Sequence, residues 1–230
     1  MTTAATPASS PRAAGITGIL FAILFSVSVV ILRVSVNDVS GEGGQWLADS
    51  AGSVTFAIGL MAFAGIFFLW FIGVVRARLG RLEDQFFSAV FLGSGLLFLA
   101  MVFVGTSIAG AIVMGYERDP SGFTDSSTYW LARDIISQIF SIYALRMAAV
   151  FLLSQATLWL RTKVMPRWMA LLTYPLALLL LFVFTESFWV VLVFPAWVLL
   201  VSVHILIVSF RRRPDAGDAA TQTAPHAASD

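Results

Sequence analysis

Arg146 stands about 11 residues inside the apolar stretch Ile135 to Leu160, or ~17 Å from its outer end at the helical rise of ~1.5 Å per residue. A guanidinium at that depth in lipid costs ~2.5–3.5 kcal/mol even on the lenient insertion scale, so something must solvate it. Tyr143 shares its helix face at i−3, and Gln138, Ser141, Ser154 and Gln155 make this the most polar of the apolar stretches. Glu186 is the carboxylate of the later apolar sequence. By rise it stands ~15 Å nearer the outer surface than Arg146, whereas two side chains reach ~10 Å between them. Gln138, Tyr143, Arg146 and Glu186 therefore form a candidate polar binding site inside the membrane. It has two uses: an arginine held by carbonyls and hydroxyls to fix packing, or one lining a path for a polar or anionic solute.

A second chemistry is open to Ser94, within Gly93-Ser94-Gly95, and His204. Counted from the cytoplasmic ends of their stretches both lie ~9–12 Å deep, so a serine activated by histidine would make an intramembrane hydrolase. The G-x-S-G pattern of rhomboid-type proteases fails at Leu92, and a serine between glycines in mid-helix serves close packing as well. Without a motif or a third orienting group the expectation is a non-enzymatic protein with no catalytic residues.

Other reactions are excluded more firmly. The chain has no cysteine and two histidines, His204 and His226, which removes thiol catalysis, iron–sulfur clusters, paired-histidine heme ligation and most zinc sites. No phosphate-binding loop, H-E-x-x-H or dinucleotide fingerprint occurs, so no metal and no cofactor is expected. Carboxylates within the apolar stretches are nearly absent, which argues against proton-coupled transport by acidic relays.

What must position these groups is a set of membrane helices. Of 230 residues 59% are hydrophobic and 12% charged, with a mean hydropathy of +0.89; soluble domains run near ~45–50% and ~25%. A hydrocarbon layer of ~30 Å needs ~20 apolar residues of helix. Six stretches qualify: 13–36, 51–75, 86–115, 135–160, 168–187 and 188–210. The last two form one 43-residue apolar run that Thr185-Glu186-Ser187 divides as a turn. The fold class is all-α, an integral membrane bundle of six transmembrane helices. Pro175 and Pro195 could break the fifth and sixth. The first apolar stretch is longer than a signal peptide's ~7–15 residues and lacks a small-x-small site after it, so it reads as a retained span.

Ten of the fourteen basic residues flank one side of these spans: Arg12; Arg76, Arg78 and Arg81; Arg161, Lys163 and Arg167; Arg211, Arg212 and Arg213. The positive-inside rule then puts both termini in the cytoplasm, as an even span number requires. Trp70, Trp159 and Trp168 mark the cytoplasmic ends; Tyr116, Tyr129, Trp130 and Trp189 mark the outer ones. The tails, 1–12 and 211–230, have the composition of disordered segments. The outer connection Tyr116 to Asp134 carries Asp119-Pro120-Ser121-Gly122 as a turn signal.

Small residues recur every four positions in the first span, at Ala14, Gly18, Ala22 and Ser26, and again at Gly105 and Ala109 in the third. Such faces let helix backbones approach closely, within one chain or between chains. The partners expected are the lipid bilayer and either another membrane protein or a second copy. Nucleic acid is not expected, because the basic residues sit at helix ends rather than along one exposed face.

The segment Phe68-Leu69-Trp70-Phe71-Ile72-Gly73-Val74-Val75-Arg76, followed by Arg81-Leu82-Glu83, with thirteen arginines against one lysine, resembles small, uncharacterised six-span integral membrane proteins of bacteria. The resemblance implies a bacterial plasma (inner) membrane, and it implies no activity and no site residue.

Overall fold

The computed structural model describes residues 11–37, 45–79, 85–120, 122–163, 165–182 and 188–211. All regular structure among them is helical: α1 (Pro11–Asn37), α2 (Gln45–Leu79), α3 (Gln85–Arg118), α4 (Ser127–Gln138), α5 (Leu145–Thr162), α6 (Arg167–Phe182) and α7 (Val193–Arg211). A π-helical turn, Ile139–Ala144, fuses α4 to α5, and a 3-10 turn, Phe188–Leu192, leads into α7. With α4 and α5 counted as one rod, five helices are long and apolar enough to cross a membrane and α6 is a shorter sixth. The protein is a six-helix, all-α membrane bundle.

Helix ends follow from local chemistry. Asp119 precedes Pro120, which disfavours continuing α3; the Asp119 carboxylate accepts from the Gly122 N–H at 3.0 Å. Ser126 caps α4 by accepting from the Tyr129 N–H at 3.2 Å. Lys163 takes the left-handed conformation (φ 54°) that closes α5, its N–H donating to the Trp159 carbonyl at 2.9 Å. Pro195 falls in the first turn of α7, where its missing N–H has no helical partner to lose. Pro175 is internal to α6.

The helices overrun the expected spans in places. The span expected to begin at Ile135 begins at Ser127 as α4, which shortens the connection at that end to Asp119–Ser126. The cause is a second, small core: Tyr129, Ala132 and Ile136 lay one face of α4 on Val54, Ile112 and Val113 of α2 and α3. The described part of α6 has 16 residues, ~24 Å of helix. The Thr185-Glu186-Ser187 turn lies outside the described residues, as do both ends of the chain.

The main core centres on Phe68 of α2, fully buried. Its ring lies 4.6 Å from Phe21 of α1, 5.5 Å from Phe98 of α3, 5.5 Å from Phe151 of α5 and 5.7 Å from Phe194 of α7. These separations are those of favourable aromatic pairs. Five helices thus meet at one side chain. α1 packs between α2 and α7, α3 between α2 and α5, and α6 against α5.

Candidate functional site

Arg146 is the second residue of α5, immediately beyond the π turn, and is half-buried. Its Nη1 donates to the Ile142 carbonyl at 2.9 Å, which also accepts from the Leu145 N–H. The extra residue in a π turn displaces carbonyls from the regular ladder, which is one reason such turns occur at functional positions. On the other side of the turn Phe140 lies against Gly105, where a Cβ would come within 2.6 Å of its ring. The turn therefore does two things: it presses an aromatic ring onto α3 and offers a carbonyl to a buried-depth guanidinium.

Among the described residues, Gln138 and Tyr143 make no hydrogen bond to Arg146. Tyr143 is 57% exposed and Gln138 is exposed as well. Ser154 donates to the Val150 carbonyl of its own helix at 2.9 Å. Gln155 is buried further along α5. Glu186 lies outside the described residues. Arg146 is 15 residues from Arg161 along α5, and Phe182 is 15 residues from Arg167 along the antiparallel α6, ~22 Å in each case. The two helices are held in register by a 3.0 Å hydrogen bond between the Thr157 and Tyr174 hydroxyls. By that pairing Phe182, eight residues past Tyr174, stands level with Ala149, three residues short of Arg146.

Ser94 and His204 do not form a dyad. The Ser94 hydroxyl donates to the Val90 carbonyl at 2.7 Å and approaches that of Phe91 at 3.2 Å. His204 is half-buried with its ring edge-on to Trp168, 6.5 Å between centroids. Among the described residues no group of three potential metal ligands converges.

The small-residue faces sort into two kinds. On α1, Ala14, Gly18 and Ala22 are buried and Ser26 is half-buried. A Cβ on Gly18 would collide with the Ser202 Oγ of α7 and come within 2.8 Å of the Phe71 ring of α2. Gly105 is filled by Phe140 in the same way, and Ala109 is half-buried. Nearby, the buried Ser28 hydroxyl donates across to the Ala57 carbonyl of α2 at 2.6 Å. These faces are used inside the chain.

A third face is not, among the described residues. Gly52, Thr55, Gly59, Ala62, Ile66, Leu69 and Gly73 of α2 repeat at intervals of three and four, and all are exposed. A Cβ on Gly52, Gly59 or Gly73 would meet nothing within 4 Å. Reading small residues at intervals of four missed this face; the signal that finds it is the seven-residue spacing of 52, 59, 66 and 73.

A scan against models of protein families finds no match, and comparisons with curated proteins and with solved structures find none either.

Proposed function

We propose that this is a non-enzymatic, multi-pass protein of a bacterial plasma membrane, with both termini cytoplasmic, that works by associating with another membrane helix through the exposed face of α2. The observation that carries the reading is the set of three glycines, Gly52, Gly59 and Gly73, on one lipid-level face where, among the described residues, nothing lies within 4 Å of the position of a Cβ. In a helix each glycine costs ~0.5–1 kcal/mol relative to alanine, and lipid tails gain nothing from its small size. A second helix does gain, because backbones approach closely where side chains are small. The seven-residue repeat suits a left-handed helix pair. The positive-inside count supports the orientation, and the arginine-rich composition supports the bacterial membrane.

Gly59→Leu tests this without touching the fold, since the new side chain enters open space. Association is measured in membranes by proximity crosslinking of single cysteines placed on α2, a method the cysteine-free chain permits. The expected result is loss of crosslinking without loss of thermal stability of the monomer. Crosslinking that survives leucine at 52, 59 and 73 together sinks the reading.

A second reading is a channel or carrier for a small polar or anionic solute passing Arg146, supported by a half-buried guanidinium at membrane depth. Single cysteines from Ile142 to Val150, probed with membrane-impermeant thiol reagents from each side, test it. Labelling on the Arg146 face alone favours transport, and silence throughout removes it.

A further inference from the structure

α5 and α7 face one another through side chains, and two of those side chains are polar donors without acceptors. Gln155 is 2% exposed and Trp197 is 3% exposed. Among the described residues, neither the Gln155 Nε2 nor the Trp197 Nε1 has a hydrogen-bond partner. Buried N–H groups of this kind are uncommon, and each calls for a bound acceptor or a penalty.

Their levels are adjacent. Both helices carry the chain towards the end bearing Arg161 and Arg211, so equal steps along each keep residues side by side. Phe151 and Phe194 lie 5.8 Å apart; three residues further, Trp197 is level with Ser154, next to Gln155. One turn beyond Gln155, the Trp159 ring lies 6.2 Å from that of Trp197. Gln155 stands four residues from both Phe151 and Trp159, on the α5 face that meets α7. The two donors therefore lie at neighbouring levels, between the Phe151–Phe194 pair and the Trp159 ring.

We infer that Gln155 and Trp197 together form a binding site for one uncharged oxygen acceptor, receiving a hydrogen bond from each N–H. The chemistry needed is a lone-pair oxygen with no charge to desolvate, a water molecule or the carbonyl of a membrane-soluble compound. A ring face accepts N–H only weakly, and the Trp159 ring, tilted by 54°, offers this to Trp197 alone.

Gln155→Met and Trp197→Phe, singly and together, test the site by the sign of their effects in the full-length protein. An empty buried donor is a liability, so removing that of Gln155 by the near-isosteric Gln155→Met would raise the melting temperature. Trp197→Phe also loses buried ring area and is read through the double variant. A shared acceptor reverses the sign: each single change lowers the melting temperature by about 2–4 °C, and the double change costs less than the two combined, because the second donor has nothing left to lose. An increase in either single variant, or strict additivity, overturns the proposal. The indole N–H proton resonance of Trp197, identified by its absence in Trp197→Phe, gives an independent readout in the unaltered protein: a downfield position is expected, and the position of a free indole N–H overturns the site. Exhaustive delipidation separates the two sources. Destabilisation by Gln155→Met that persists identifies water; destabilisation seen in native membranes alone identifies a membrane-soluble carbonyl compound.

Discussion

The two long faces of α2 have the same periodicity and opposite contents. Inward, Val54, Ala57, Met61, Ala64, Phe68, Phe71 and Val75 repeat at intervals of three and four and are all buried. Outward, Gly52, Thr55, Gly59, Ala62, Ile66, Leu69 and Gly73 repeat in the same way and are all exposed. In water the two would differ in polarity; here both are largely apolar, because lipid is as apolar as the core. What separates them is size. The inward face carries Phe68 and Phe71. The outward one carries three glycines whose Cβ positions are open, interspersed with exposed Ile66 and Leu69 and flanked by exposed Phe56, Phe63 and Trp70. The open glycines are the places where another backbone could approach.

The inward face breaks most severely at Phe68. Four rings from four other helices lie within 5.7 Å of its own, and a backbone-anchored cluster of that kind closes poorly over a void. Phe68→Ala is expected to cost ~3–5 kcal/mol, measured by thermal or denaturant unfolding in detergent. A loss below ~1 kcal/mol would mean that the five helices do not depend on a common centre. Gly65→Val, on the same helix but turned towards α3, follows. Its Cβ would lie 2.8 Å from Leu99 Cδ1 and against the Phe103 ring. Overpacking of this sort costs ~1–3 kcal/mol, whereas the same change at Gly59 is expected to leave stability within ~0.5 kcal/mol. Equal effects at 65 and 59 would erase the distinction between the faces.

Much of the bundle was legible because span length and apolar composition are set by the bilayer, and both are explicit in sequence. The all-helical class and six helices followed from that. Three things were not legible. The extension of α4 back to Ser127 depends on Tyr129, Ala132 and Ile136 finding α2 and α3, a tertiary contact hidden in a polar stretch. The π turn at Ile139–Ala144 leaves no compositional mark, since one inserted residue looks like any other in an apolar run; its trace is the Phe140 ring seated on Gly105. The exposure of Gln138 and Tyr143 beside a half-buried Arg146 is set by how the bundle packs around them, which spacing along one helix does not report.

Ser28 sharpens the inward side at lower energy. Its hydroxyl crosses from α1 to the Ala57 carbonyl of α2, a contact that i−4 bonding to its own helix would replace in an isolated segment. Hydrogen bonds between membrane helices average ~0.6 kcal/mol and reach ~1.7 at most. Ser28→Ala is therefore expected to lower stability by about 1 kcal/mol in the same unfolding measurement, well below the effect at Phe68. An unchanged midpoint would show that packing alone holds α1 to α2.

The smallest expected effect has the opposite sign. At Gly59 and Gly73 a Cβ meets nothing within 4 Å, so alanine adds no clash and restricts the unfolded backbone. Each substitution should stabilise the monomer by ~0.5–1 kcal/mol. If the outward face is an association surface, the same methyl groups separate the paired backbones, so Gly59→Ala combined with Gly73→Ala should weaken crosslinking while raising the melting temperature of the monomer. A face whose glycines serve nothing would show the gain in stability with no loss of association. A face that serves the fold in a way the packing does not reveal would show a loss of both. The two readouts moving in opposite directions is the outcome that only an external partner for α2 produces.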